Sequence, residues 1–444
     1  MFRQMCGYTR PERLCSRRTA GVVSFGVVVV LLGLVTGAAG TVGAQSAPDC
    51  STVTYPGDGT EPNPYEVGDV DELQCIDDQG LNENYVQVSE IDASGTSSWN
   101  GGDGFEPIGG TLGPTATNFS GTYNGQGFNI TGLTIDRDEP NVGLFFGIED
   151  DGEVEDTSVV NADITGLSFA GGIASFNSGN ISESYVSGSV GNPDSGVIAG
   201  GIVAVNGVEG TIEESYSTAS INGSGIVGGF TADNSGTIEE SYTTGSVDGM
   251  TVTGGFAGTN TGTITESYAA GSVTDEGINP PPLVSEDGGT ADESHGAEQG
   301  RLDSIPDTVG GLIGFNDGGT VTDSYWDIDA TGQSDSDGGT GLTTSEMTGS
   351  AATNNMQGFD FANTWETVLG DYPVLAWQTE DDNAAPTASF TFSPSSPSVS
   401  DTVTFDASGS TDPDGTIQTY GWDFGDGTTG TGETATQSFS APGD

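Results

Sequence analysis

The chain has 444 residues, with 65 Asp and Glu against 7 Arg, no Lys and one His, for a net charge of −58; only 33% of it is hydrophobic. A polyanion of this kind cannot neutralise phosphates or approach anionic membranes and acidic polysaccharides, which excludes nucleic-acid binding and lyases that act on uronates through basic groups. Low hydrophobicity with high net charge is also the compositional mark of disorder, so a fold must rest on something other than a bulky core.

Five of the seven Arg lie in the first eighteen residues (Arg3, Arg10, Arg13, Arg17, Arg18), an apolar run follows from Ala20 to Val35, and Val42-Gly43-Ala44 ends in small residues. This reads as a secretion signal over residues 1–44, cleaved after Ala44. Ser16-Arg17-Arg18 also fits a twin-arginine signal, although Ala20 is weak where a strongly apolar residue is usual. An uncut signal anchor is the alternative. Loss of five Arg and one Glu takes the net charge from −58 to −62 and leaves Arg137 and Arg301 as the only basic residues. Such self-repulsion is tolerable in molar salt, where the Debye length is about 3 Å. Zero Lys, abundant Asp and export together look like a secreted protein of an extreme halophile.

The mature chain keeps Cys50 and Cys75, which in an exported protein suggests one disulfide at the N-terminal end; two free thiols are the alternative. Residues 45–141 read as an N-terminal cap with the first coils. Sequons at Asn118, Asn129, Asn180 and Asn222 permit glycosylation.

From residue 142 to 330 the chain repeats itself. Gly171-Gly172-Ile173 leads through Asn177 and Ile181 to Glu183-Ser184-Tyr185, and the same series recurs at Tyr216, Tyr242, Tyr268 and Tyr325. The tyrosines step by 31, 26, 26 and 57 residues, so the period is 26, with Val208-Glu209 as extra residues in the first step and a loop inserted in the last. Each period holds about three β-prone stretches with no helical periodicity, which matches one coil of a β-solenoid with coils about 4.8 Å apart. Ile173, Ile202, Phe230, Phe256 and Leu312 then form one interior ladder, and Ile181, Ile212, Ile238, Ile264 and Val321 a second. The tyrosines can stack ring on ring. The Asn ladder suits turns of positive φ with amides bonding along the axis. Glu183, Glu214, Glu240, Glu266 and Asp323 should form a column, either a cation site or outward, salt-screened acids; the second is favoured.

The inserted loop, 277–308, carries Pro280-Pro281-Pro282, His295 and Arg301 and reads as a long surface loop. Residues 331–382 read as a C-terminal cap: Thr343 and Glu346 have capping-box spacing, and the aromatic density of Phe359, Phe361, Trp365, Tyr372 and Trp377 suits closure of the open solenoid end. Asp335-Ser336-Asp337-Gly338 resembles the start of an EF-hand loop without its later ligands, so a turn is expected. From Asn383 on, short strands alternate with Asp/Gly turns as in a small β-sandwich.

Two family resemblances sit on these residues. Gly-Gly-Phe-x-x-x-Asn-x-Gly-Thr-Ile-x-x-Ser-Tyr-x-x-Gly-Ser-Val resembles the GLUG repeat of exported bacterial and archaeal surface proteins, also present outside the catalytic part of some immunoglobulin A proteases. That likeness covers roughly residues 50–380 and implies an all-β chain: a right-handed parallel β-helix, like the adhesin shafts of filamentous haemagglutinins. The copies here carry Glu where Asn is usual before Ser-Tyr. Ser408-Gly409-Ser410-Thr411-Asp412-Pro413-Asp414-Gly415 and Trp422-Asp423-Phe424-Gly425-Asp426-Gly427 resemble a polycystic-kidney-disease (PKD) domain over 383–444, an Ig-like sandwich that stops where its final strands should begin. Some such domains bind Ca²⁺ through an Asp-x-Asp and an N-terminal Asn, which implies Asn383, Asp412 and Asp414 as candidate ligands. No other cofactor is expected.

No catalytic residue is assigned. A glycosidase needs only two carboxyls about 5–10 Å apart, but no non-repeating aromatic and acidic cluster marks a cleft, and no His-Glu-x-x-His motif occurs. The expectation is a non-enzymatic, secreted or cell-surface protein without membrane insertion after signal cleavage, which binds an extracellular glycan or surface protein. A carbohydrate-active β-helix enzyme with an accessory PKD module is the alternative.

Overall fold

The computed structural model describes residues 22–25, 46–110, 118–193, 196–275, 308–380, 389–394, 397–399, 401–410, 419–424 and 429–439. The chain divides into two units, 41–377 and a second made of 1–40 with 378–444. The larger unit is a parallel β-solenoid. Two of its coils contain five short strands each, where the sequence reading expects about three. One coil runs Ile226–Gly228, Thr231–Asn234, Thr237–Glu239 and then Tyr242–Thr243 with Val247–Gly249; the next runs Val252–Gly254, Ala257–Asn260, Thr263–Thr265 and Tyr268–Ala269 with Val273–Asp275. One extra strand arises at the Gly-Gly site, which is a corner rather than a continuous strand, and the other where the tyrosine strand is interrupted before Val247. A Cβ on Gly254 would lie 1.8 Å from the Ala257 carbonyl oxygen, and one on Gly255 would lie 2.1 Å from that of Gly311. Only glycine lets the chain turn there while the next coil passes so close.

Stacking in register builds sheets that run along the axis. Ile181, Ile212, Ile238, Ile264 and Val321 pair in succession, as do Tyr185, Tyr216, Tyr242, Tyr268 and Tyr325. The first series continues upstream through Val154, Tyr123 and Tyr85, giving a nine-stranded sheet. Alternation along each three-residue strand sends one side chain inward and two outward. That is why a chain so poor in apolar residues still has one continuous core. Ile173, Ile202, Phe230, Phe256 and Leu312 are fully buried in it, and Phe230 stacks on Phe256 with ring centres 4.7 Å apart.

The Asn ladder is buried at its first four positions, and its amides bond along the axis. Asn177 Nδ2 donates to Asn206 Oδ1 at 2.9 Å, Asn206 to Asn234 at 2.9 Å, Asn234 to Asn260 at 2.8 Å and Asn260 to Asn316 at 3.0 Å. The backbone at these Asn does not take the positive φ expected from the sequence. Positive φ falls instead on the acids before Ser-Tyr: Glu183 (46°), Glu214 (48°), Glu240 (49°), Glu266 (48°) and Asp323 (46°). The Asn are held in extended strands by the axial amide chain, while the left-handed residue marks the corner into the tyrosine strand. Asn tolerates that conformation better than Glu does. Glu183→Asn is therefore expected to raise stability by about 1 kcal/mol, read from urea unfolding in molar salt; an unchanged or lowered midpoint would count against strain at this corner.

At the N-terminal end, Asp69 Oδ1 accepts from the amides of Asp71 and Glu72 and caps the helix Val70–Gln74. Cys50 and Cys75 are joined in a disulfide that ties the first residues of this unit to the end of that helix. Arg137 is buried; its Nε donates to the Phe105 carbonyl at 2.9 Å and its Nη1 pairs with Glu139 at 3.0 Å, so one of the two basic residues beyond the first eighteen positions has a structural role.

The C-terminal aromatic segment does not close the end of the solenoid. The end is covered by residues 333–342. Ser336 Oγ accepts from the amides of Leu312 and Ile313, Asp337 Oδ2 accepts from the Asn316 amide at 2.8 Å, and Thr340–Leu342 pairs with Tyr325–Asp327. Asp335-Ser336-Asp337-Gly338 thus acts as a cap for the last coil. After it, the helix Thr344–Met347 starts with the expected capping box, Thr343 N donating to Glu346 Oε2 at 2.9 Å. The chain then doubles back along the flank of the coils. The reason is the tyrosine ladder, an apolar strip on the outside that rings can cover, whereas the last coil offers mainly backbone groups that need polar partners.

In the second unit, Thr391–Ser393, Thr402–Asp406 and Thr434–Ser438 form an antiparallel sheet, and Thr419–Asp423 pairs with Thr429–Thr431. Val22–Phe25 pairs in parallel with Thr419–Asp423. The remainder of the expected signal, including Ser16-Arg17-Arg18 and the cleavage position after Ala44, lies outside the described residues. So do residues 276–307 of the inserted loop, with His295 and Arg301, and the candidate Ca²⁺ ligands Asn383, Asp412 and Asp414. Among the described residues, no helix is long and apolar enough to cross a membrane.

Candidate functional site: a tyrosine ladder flanked by acids

The most distinctive surface of the solenoid lies where each coil turns from its acid corner into the tyrosine strand. Side chains at these positions point outward because the intervening Ser and the preceding Ile fill inward places: Ser184, Ser215, Ser241 and Ser267 are fully buried. Each of these Ser hydroxyls donates to the carbonyl two residues earlier, as Ser241 Oγ does to Glu239 at 2.8 Å, and accepts from the amide at the same place one coil above, that of Thr157 for Ser184 and of a Ser for the other three. That polar spine holds the corner geometry from coil to coil and keeps the rings in step. Tyr185 and Tyr216 stack at 4.2 Å and 20°, Tyr216 and Tyr242 at 4.9 Å and 8°, and Tyr242 and Tyr268 at 4.9 Å and 3°.

Residues 343–377 lie over the lower part of this ladder as a strap. Trp377 packs on Tyr216, Trp365 on Tyr242 and Tyr268, and Phe359 on Tyr268 and Tyr325. Its hydrogen bonds reach the same strip: Tyr268 Oη donates to the Pro373 carbonyl at 2.6 Å, and Trp377 Nε1 to the Glu214 carbonyl at 2.9 Å. Exposure follows the cover. Tyr242, Tyr268 and Tyr325 are buried, whereas Tyr185 and Tyr216 remain partly exposed.

The acid column runs beside the rings. Register places Glu183, Glu214, Glu240, Glu266 and Asp323 on successive coils, and Asp156, also at positive φ (53°), extends the column one coil upstream. Sequence reading stopped at Glu183; the signal for Asp156 is the match of Val154-Glu155-Asp156-Thr157-Ser158 to Ile181-Ser182-Glu183-Ser184-Tyr185. The strap engages the column's lower half. Thr364 Oγ1 donates to Glu240 Oε1 at 3.1 Å and the Asp360 amide to Glu266 Oε2 at 3.2 Å. Among the described residues no group of three or more His, Cys, Asp or Glu converges to hold a metal ion. The column's corners step along the axis, each acid on its own coil.

Burial beneath the strap raises the Glu266 carboxyl above its ordinary range, the Asp360 amide opposes this, and the charges of Asp323, Asp360 and Glu239 add to it. The folded state therefore binds that proton more tightly than the unfolded chain. The resulting stability is fully present below the ordinary carboxylate range and is lost as pH rises through the folded value. Glu266→Gln should accordingly raise the Tm by about a degree or two near neutral pH, the effect being reduced by solvent screening, and should leave it unchanged in acid. Thermal melts across pH check this; a Tm lowered at neutral pH would refute it.

Residues 383–444 match the PKD domain. Over 341 residues the chain is 37% identical to halomucin of Haloquadratum walsbyi, a match that covers 74% of this chain and 3% of halomucin. A putative Gly-rich membrane protein of Evansella cellulosilytica is 35% identical over 117 residues, covering 26% of this chain and 13% of that protein. This chain thus spans a small fraction of either relative's length. Among solved structures, a putative immunoglobulin A1 protease from Bacteroides ovatus superposes with a TM-score of 0.51 at 18% identity, covering 72% of this chain and 94% of the other. At that identity the likeness is one of fold alone. The PKD match begins at Asn383, outside the coils, so the solenoid and its tyrosine ladder owe nothing to it.

Proposed function

We propose that this chain is an exported halophilic surface or extracellular protein of the GLUG-repeat type, in which a β-helical shaft joined to a PKD spacer displays a binding surface. The observation that carries this reading is the constant register from Tyr185 through Tyr325, which lays equivalent outward side chains in long rows. Extended repeat surfaces of this kind suit recognition. The likeness to halomucin, from an organism whose name marks salt, and the net charge of −58 agree with a saline, extracellular setting. Its partner is an extracellular glycan or surface protein, and its work is adhesion without turnover.

The second reading, a carbohydrate-active β-helix enzyme, draws only on the abundance of carboxylates. A glycan panel incubated with the full chain in molar salt separates the two. Retention without release of reducing ends supports the binder; release of reducing ends overturns it in favour of the enzyme.

A further inference from the structure

Two of the four Asn-x-Ser/Thr sequons coincide with strands, where the register decides which way each side chain points. In Asn129-Ile130-Thr131 and Asn180-Ile181-Ser182 the middle residue is a fully buried isoleucine of the core. Alternation along the strand therefore turns the Asn and the hydroxyl two places on to the same outer face. Asn129, Thr131, Asn180 and Ser182 are all partly exposed, and among the described residues none of the four makes a side-chain hydrogen bond. Their neighbours along the axis are small or flexible: Ser158 beside Asn129, Glu153 and Thr211 beside Asn180. The fold closes the other two sequons. Asn118 Nδ2 donates to Glu149 Oε1 at 2.7 Å, and its Oδ1 lies against Gly147, where a Cβ would come within 2.8 Å. In Asn222-Gly223-Ser224 the hydroxyl-bearing Ser224 is buried.

We propose that Asn129 and Asn180 are N-glycosylated on the stacked coils, and that Asn118 and Asn222 are not. The proposal rests on the surface reading above, because the modification requires export past a glycosyl transferase. The donor is an oligosaccharide carried on a lipid diphosphate. The Asn Nδ2 attacks the anomeric carbon of the first sugar; an N–C bond forms, the C–O bond to the diphosphate breaks, the lipid diphosphate leaves and one amide proton passes to a base of the transferase. The sequon needs its hydroxyl because the transferase holds that group beside the reacting amide. A hydroxyl turned into the coil, as at Ser224, cannot be held. An amide that already donates to a carboxylate, as at Asn118, must first give up a charge-assisted bond. At Asn129 and Asn180 both groups face outward together. A bulky, solubilising sugar there extends into solvent and displaces no core contact, so the register of the coils is kept.

The test expresses the full chain in a halophilic archaeon that N-glycosylates its own surface proteins, and recovers it from the medium and the cell surface. Peptide mapping by mass spectrometry uses proteases that cut at acidic and aromatic residues, because the chain has seven Arg and no Lys. Sugar mass should appear on the peptides that carry Asn129 and Asn180 and be absent from those that carry Asn118 and Asn222. Ser182→Ala should abolish the addition at Asn180 and leave that at Asn129, and Ser182→Thr should restore it. Far-ultraviolet circular dichroism in molar salt reports whether each variant keeps its sheet. Equal addition at all four sequons overturns selection by the folded coils. Addition at Asn118 or Asn222 without Asn129 and Asn180 overturns the choice of sites. An exported chain with no sugar overturns the modification and leaves the surface reading standing. A chain retained inside the cell overturns both. Sugar that persists at Asn180 in a folded Ser182→Ala variant overturns the role given to the outward hydroxyl.

Discussion

Transfer from molar salt to about 0.1 M salt should unfold the coils, because the Debye length grows from roughly 3 Å to roughly 10 Å and neighbouring coils then feel each other's acids. Successive corners carry Glu183, Glu214, Glu240, Glu266 and Asp323, and the adjacent outward row pairs Glu213 with Glu239. Coils about 4.8 Å apart bring such charges to about 5 Å, where each pair costs about 0.8 kcal/mol even in bulk water. Several such pairs together rival the roughly 5–15 kcal/mol that holds an ordinary domain. Far-ultraviolet circular dichroism during dialysis would follow the loss of sheet, and sucrose at matched osmolality should fail to restore it. A chain that keeps its sheet and its Tm in dilute buffer would show that outward acids are compensated by means other than screening.

Phe256→Ala should cost about 3–5 kcal/mol, the largest effect expected of a single substitution in the shaft. The ring is fully buried, lies parallel to Phe230 with centres 4.7 Å apart, and occupies the one interior place that its strand corner offers per coil. Neighbouring coils cannot collapse into the gap, because the Gly-Gly corners already pass at contact distance. Urea unfolding in molar salt measures the loss without adding charge of its own. Val208→Ala is the matched control: this side chain is 76% exposed, in the turn that carries the extra residues of one repeat, and its change should stay within about 0.5 kcal/mol. Equal losses at the two positions would mean that stability does not reside in the interior ladder.

The sequence and the structure agree where one residue type repeats at one place in every coil. A period of 26 with Ile, Tyr and Asn at constant offsets implies a solenoid whose ladders are made of those residues, because a coil that cannot bury its own apolar side must stack on a copy of itself. They part where the determining contact is made with a residue of another coil. Gly254-Gly255 reads as a strand ending in flexible residues, and only the Ala257 and Gly311 carbonyls pressing against it make it a corner. From the sequence the Asn ladder suits turns of positive φ and the Glu series reads only as a column of carboxylates. The axial amide chain assigns extended backbone to the first, and the positive φ then falls on the second.

The strap shows the same division for the candidate site. Phe359, Trp365, Tyr372 and Trp377 announce in the sequence that something apolar must be covered, but local pattern cannot say whether that is the end of the shaft or its side. The tertiary structure decided for the side, since the last coil exposes backbone groups that Ser336 and Asp337 satisfy, while the tyrosine ladder offers the rings a matching apolar strip. Composition by itself determined that the chain is a weakly hydrophobic polyanion whose like charges call for screening. The period determined the shaft. The place where the tyrosine stack begins, at Tyr185, depends on which coils come into contact, and that is a property of the folded stack alone.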